Sequence, residues 1–268
     1  MKRHRHELKT LTFSGKHTFL CIQGCTLKHH KLVELLCSTP DHLSTVTASV
    51  EAQSCADLRD YLRKSCWDIS KVVPDLDPSL RLPIVHLACF LGKHKALEVL
   101  SEFRLHPLLR IAKTEETPLH MTVQLLRHQT SNSIFLPDVV VSTVKTLNQH
   151  SYPISLFSAK DIKGNSVLLA MAELISSNIP EAVTLLCVYL FRVFVHFILK
   201  EQHCITTYGS LHVLSSILKD CNKAGQNVES LLQRSIHGEQ LLEYLKGLQE
   251  KGRLEMSSEN IGKTVLPP

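Results

Sequence analysis

The sequence predicts an all-α chain built from short helix pairs that recur along its length, and three observations carry that expectation. Thr117-Pro118-Leu119-His120 is a helix start: a threonine precedes the proline that opens the apolar-periodic stretch Leu119 to Leu126, with Glu115 and Glu116 just ahead. The same histidine and apolar rhythm recur in Leu82-Pro83-Ile84-Val85-His86-Leu87-Ala88-Cys89, and the two histidines stand 34 positions apart, which is repeat spacing. Helix pairs of this size cannot bury their own apolar faces, so neighbouring pairs must stack.

Thr117-Pro118-Leu119-His120 and the Leu82 segment resemble the T-P-L-H-x-A signature of ankyrin repeats, whose period is about 33 residues. From Leu82 to Leu109 the match runs nearly residue by residue. Pro83, His86, Leu87, Ala88 and Gly92 fall at signature places, and Ala96, Leu97, Val99 and Leu100 supply the stripe of a second helix. Gly92 suits the positive backbone angle that ends the first helix. Leu82 stands where the family has threonine, so that cap is missing. The resemblance is clearest over residues 80–190 and implies a helical-repeat solenoid with short hairpin fingers and an irregular N-terminal part. It also implies that His86 and His120 tie repeat turns together.

Taken in order, residues 1–9 form a basic segment and 10–79 a degenerate repeat region. There His17 to Gly24 resembles a first helix, with Cys21 in the histidine's place, and Lys31 to Leu36 resembles a second. Ser38 to Asp41 breaks the pattern, and Leu43 to Ala52 is expected to be irregular. A helix resumes near Ala56, with Leu58, Tyr61 and Leu62 on one face and Asp57, Arg59, Asp60, Arg63 and Lys64 on the other. Trp67 is expected to pack in the core. Residues 80–200 hold the ankyrin-like repeats, with a polar insertion near 127–137 and a helix restarting at Pro137-Asp138. Asp161-Ile162-Lys163-Gly164-Asn165-Ser166-Val167-Leu168-Leu169 resembles the family's D-x-x-G-x-T-P-L-H finger, with Ser166 as the cap. Asn178 to Leu186 opens a second helix. Val183 to Leu199 is almost continuously apolar and approaches the length of a membrane span; a buried long helix is the preferred reading, because Arg192 interrupts it. Residues 201–250 read as a C-terminal helical repeat or cap, with Gly209-Ser210-Leu211-His212 as a repeat start, a turn at Asn222 to Asn227 and helices over 228–236 and 239–248. Residues 251–268 are expected to be a disordered tail.

Composition narrows the function classes. The hydrophobic share of 44% suffices for a substantial core, and 30 Lys and Arg against 25 Asp and Glu is too slight an excess to imply nucleic acid. Aromatic residues at 6% offer no stacking platform for single strands. Nine scattered cysteines, with no C-x-x-C pair and no targeting segment, favour a reducing compartment, the cytosol or nucleus.

Catalytic motifs are not found. Cys21, Cys25, His29, His30 and Cys37 fit no standard zinc spacing, and Gly262-Lys263-Thr264 lacks the preceding glycine of a phosphate loop. No G-x-S-x-G, H-E-x-x-H or G-x-G-x-x-G occurs, so no catalytic residue, metal or cofactor is assigned. The expected function is a noncatalytic protein-protein interaction module, an adaptor, inhibitor or scaffold. Its partner is another protein, not nucleic acid. The resemblance places partner contacts at Phe90 and Leu91, on the concave face at the end of a first helix, and at the finger residues Arg110, Lys113, Glu115, Glu116, Lys160 and Lys163. The alternatives are a membrane-attached ankyrin protein using residues 183–199 and a cysteine-dependent enzyme.

Overall fold

The computed structural model describes residues 10–13, 16–19, 27–39, 48–65, 82–103, 105–128, 136–150, 153–200 and 207–261. Apart from one hairpin, the regular elements among the described residues are helices. Strands β1 (Thr10–Phe13) and β2 (Lys16–Phe19) pair antiparallel, with Thr10 opposite Phe19 and Phe13 opposite Lys16. The helix expected over residues 17–24 is therefore corrected: its first residues are a strand. Threonines and phenylalanines in alternation favour a pleated ribbon, and so short an apolar run does not distinguish the two periods. Residues 20–26, the Trp67 segment, the 129–135 insertion and the last seven residues lie outside the described residues.

The chain divides into two compact units, Met1–Ser151 and Tyr152–Pro268. In the first, α1 (Leu27–Ser38) packs on α2 (Ala48–Ser65), α2 on α4 (His94–Ser101), and α4 on α6 (Leu136–Asn148). A second layer consists of α3 (Ile84–Phe90) on α5 (Pro118–His128). Leu58 and Leu62 are buried and Tyr61 half-buried, while Asp57, Asp60, Arg63 and Lys64 face solvent, as the spacing predicts. However, α2 starts at Ala48 rather than near Ala56, inside the stretch expected to be irregular. Ala48, Ala52 and Gln53 are good helix formers, and Glu51 in the first turn suits the helix dipole.

The turn between α3 and α4 shows how sequence positions these helices. Gly92 has φ +64, its amide donates to the Cys89 carbonyl at 3.2 Å, and the Lys93 amide donates to Ala88 at 2.9 Å. These bonds satisfy carbonyls that the end of α3 would otherwise leave bare. The backbone angle requires glycine, and a Cβ there would also press on Leu125 Cδ2 at 3.2 Å. The adjacent Lys93 is only 5% exposed, and its Nζ donates to the carbonyls of Thr39 at 2.7 Å and Cys37 at 3.2 Å. A cation placed on the last carbonyls of α1 is favoured by the helix dipole as well as by the two bonds.

In the second unit, α8 (Val167–Ile175) packs on α11 (Val228–Leu232), and α9 (Glu181–Lys200) on α12 (Ile236–Ile261). The short α7 (Pro153–Ser158) touches α8 and α9, and α10 (Thr207–Lys219) packs against α9, α11 and α12. Three expectations are corrected here. Gly209 to His212 lies within the continuous helix α10 and does not begin a helix pair. The helix expected over 228–236 stops at Leu232, and α12 continues through Ile261 into the expected tail.

The 20-residue α9 has the length and mean hydropathy (2.2) of a membrane span. Its side chains are nevertheless sorted by face. Val183, Cys187, Leu190, Phe191, Phe194, Val195 and Ile198 are buried, while Leu185 and Tyr189 are half exposed and Arg192 and His196 face outward. Arg192 sits over the Tyr244 ring of α12 at 5.2 Å, and Phe194 packs against Phe157 of α7 with ring centroids 5.2 Å apart. Phe194→Ala is expected to remove about 3–5 kcal/mol, whereas Leu185→Ala on the outer face should change stability by less than about 0.5 kcal/mol. Urea unfolding followed by circular dichroism checks both; equal effects would mean that the faces of α9 are not distinguished in solution.

Candidate partner-binding site

The finger loops precede α5, α8 and α11, and they share one local construction. A residue with positive φ stands two places before the helix cap: Glu115 (φ 55) before Thr117, Gly164 (φ 82) before Ser166, and Gly225 (φ 74) before Asn227. The caps differ in chemistry. Ser166 Oγ accepts from the Leu169 amide at 3.3 Å, as expected for a serine N-cap. Asn227 and Ser230 form a reciprocal capping box. Thr117 turns instead to His120, whose Nδ1 accepts from the threonine amide at 3.3 Å and from its hydroxyl at 2.8 Å.

In the first unit, the finger over 110–116 is closed by the Ile111 amide on the Glu116 carbonyl (3.0 Å) and the Glu115 amide on Ile111 (2.8 Å). His86 of α3 reaches the same Glu116 carbonyl through Nε2 at 3.0 Å, so Nε2 carries the proton. Burial pushes the His86 pKa down to about 4, keeping the ring neutral. Glu116 Oε1 in turn accepts from Gln124 Nε2 at 2.9 Å. One turn further along α5, His128 meets Phe90 edge-on at 5.7 Å. These contacts link the finger base, the C-terminal end of α5 and the end of α3.

The expected contact residues divide accordingly. Phe90 is half-buried, Arg110, Lys113 and Glu115 are exposed, and Arg110 pairs with Glu115 at 3.3 Å. Leu91 is corrected: at 5% exposure it belongs to the core, because the chain begins to reverse there and carries the side chain inward. Lys160 and Lys163 belong to the second unit; Lys160 pairs with Asp220 at 2.7 Å and Lys163 is exposed.

Sequence reasoning missed the finger over 221–226 as a counterpart of 160–165. Asp161 Oδ1 accepts from the amides of Lys163 (2.9 Å) and Asn165 (2.8 Å); Asn222 Oδ1 accepts from Ala224 and Gln226, both at 3.0 Å. An amide, unlike a carboxylate, also donates. Asn222 Nδ2 reaches Asn165 Oδ1 at 3.0 Å, and the Lys223 amide reaches the Lys163 carbonyl at 2.9 Å, so the two fingers are bonded side by side. The spacing Asn222-x-x-Gly225-x-Asn227 was the available signal, parallel to Asp161-x-x-Gly164-x-Ser166.

Of the described thiols, Cys89 and Cys187 are buried and offer little for nucleophilic chemistry. Burial pushes Cys89 and Cys187 up to about 12, leaving both protonated at neutral pH. Among the described residues no group of three His, Cys, Asp or Glu side chains could hold a metal ion; Cys21 and Cys25 lie outside them. Neither a family model nor a curated protein sequence matches the chain.

The two glycines make a paired test of the finger stack. A Cβ on Gly164 would lie 3.1 Å from the Lys223 amide nitrogen, whereas one on Gly225 would meet nothing within 4 Å. Gly225→Ala is expected to cost about 1 kcal/mol from its backbone angle alone, and Gly164→Ala about 2 kcal/mol, measured by urea unfolding. Equal costs would show that the fingers do not touch.

His86 sets a pH dependence. The unfolded imidazole, with an ordinary pKa of 6.5, takes up a proton before the folded one does at about 4. Stability from this group is therefore complete above pH 6.5, falls as pH drops, and is lost near pH 4, in total about 3 kcal/mol. His86→Gln, which keeps a donor but does not titrate, should flatten the stability profile across that window relative to the parent chain. Parallel profiles would place the burial elsewhere.

Proposed function

We propose that the chain is a noncatalytic protein-interaction module of ankyrin-like helical repeats, acting in the cytosol or nucleus as an adaptor, inhibitor or scaffold. The observation that carries this reading is the linked surface of the first unit. A half-buried Phe90 stands beside exposed His128, and the Glu116–Gln124 bond connects that end of α5 to a charged finger. An aromatic side chain bordered by satisfied polar groups is the usual anatomy of a binding hot spot. Support for the repeat assignment comes from the packing of α3 on α5 and α4 on α6, and from the recurring finger-and-cap construction. The protonated state of Cys89 and Cys187 weighs against the alternative of a cysteine-dependent enzyme.

Membrane attachment through α9 is the second reading, favoured by its length and hydropathy. It would require drawing Phe191, Phe194 and Val195 out of the second unit's core, at about 1.5–3 kcal/mol for each large side chain before lipid contacts compensate.

Affinity capture from cell extract separates these readings. Phe90→Asp combined with Lys113→Glu should reduce recovery of the partner at least tenfold while leaving helical circular dichroism and the melting temperature unchanged. Undiminished capture by the double variant removes this surface from the interface. Recovery of the chain in the membrane fraction after carbonate extraction, with no soluble partner, would establish α9 as an anchor instead.

A further inference from the structure

The two bonded fingers of the second unit hold a pair of lysines that the fold does not itself use. Lys163 and Lys223 are both exposed, and the Lys223 amide donates to the Lys163 carbonyl at 2.9 Å. Hydrogen-bonded backbones place the two side chains' starting points about 5 Å apart. The carboxylates closest in sequence are already committed. Asp161 Oδ1 accepts from two amides and its Oδ2 from Asn165 Nδ2 at 3.4 Å, while Asp220 pairs with Lys160 at 2.7 Å. Among the described residues neither Lys163 nor Lys223 forms an ion pair.

Like charges carried on neighbouring backbones repel, and flexible loops would relieve that repulsion by splaying. These loops cannot splay freely. The Asn222–Asn165 side-chain bond and the close approach of Gly164 to Lys223 clamp them together. The structure thus holds the stems of two exposed lysines beside one another, and among the described residues neither has a counterion.

We propose that Lys163 and Lys223 form a binding site for an acidic protein segment in extended conformation. Alternate side chains on one face of such a segment stand about 7 Å apart, a spacing that two neighbouring lysine stems can meet. The flanking surface supports a peptide in preference to other polyanions. Ile162, 45% exposed, lies next to Lys163 and offers apolar contact to a peptide side chain, and neither finger contains an aromatic residue on which a base could stack. Attachment to an anionic membrane surface takes a larger cluster of basic residues than these two lysines.

This assignment rests on the binding-module reading and names the chemistry of one contact within it. The test is titration of the full 15N-labelled chain at low salt with a decapeptide of alternating glutamate and glycine. Parallel arms use its glutamine counterpart, a single-stranded decanucleotide and phosphatidylserine vesicles. Amide shifts at Lys163, Gly164 and Lys223 should dominate with the acidic peptide, and its affinity should exceed that of the glutamine peptide at least fivefold. Lys163→Ser combined with Lys223→Ser should weaken it by a similar factor with an unchanged melting temperature. Shifts spread away from the fingers, no loss in the double variant, or tighter binding of the decanucleotide or the vesicles would each overturn the proposal. Cellular capture with the parent chain runs alongside. A partner recovered without any preference for acidic peptide defeats the lysine site alone, whereas no partner for the parent chain defeats the binding-module reading and this site with it.

Discussion

A short helix in water has too few backbone bonds to offset the cost of its first turn, and isolated helices below about 12 residues are marginal. The seven residues of α3 and the five of α11 are helical here only because neighbours cover their apolar faces and meet the polar groups at their ends. That second requirement organises the structure. His86 leaves its own helix to satisfy the Glu116 carbonyl, Asn222 crosses to Asn165, and Lys93 crosses to the end of α1. Each is a polar side chain that pairs main-chain or amide groups of another element, and each therefore fixes relative position as well as satisfying a bond.

The buried lysine illustrates the energetic balance. An ammonium removed from water without partners would lose its proton or disrupt the fold. On two carbonyls at a helix C-terminus its charge is an advantage, because those oxygens carry the negative end of the helix dipole. Truncating Lys93 would therefore leave the Cys37 and Thr39 carbonyls without their donor. The same reasoning explains why His86 is neutral: its Nε2 proton meets a carbonyl, and a second proton would have to be held in a buried setting.

Features set by local chemistry were legible in the sequence. Gly92 as a helix terminator, Ser166 as a cap, the Asp161 to Gly164 turn and the buried face of Leu58, Tyr61 and Leu62 all follow from backbone angle, hydrogen-bonding capacity or helical period. Features decided by packing were not. Leu91 reads as a surface residue by position, yet its place is inside the turn. Gly209 to His212 imitates a helix-pair start, but the surrounding residues continue as one helix through the glycine. The turn at Asn222 does not read as a finger in the sequence, because Val228-Glu229-Ser230 follows its cap where proline, leucine and histidine mark the clearer starts. There the construction persists in hydrogen bonds while the side chains that would announce it have changed.

The link between the fingers of the second unit is made partly by main chain, from the Lys223 amide to the Lys163 carbonyl. Such a bond is indifferent to the side chains at both positions; only proline at 223 would abolish it. Residues 163 and 223 are therefore held in place by atoms that every sequence supplies. Substitution there can alter charge, size or shape without disturbing the scaffold. Over evolutionary time the fingertips are free to exchange one chemistry for another, whereas Gly164 and Asn222 beneath them are tied to the geometry and have little such freedom.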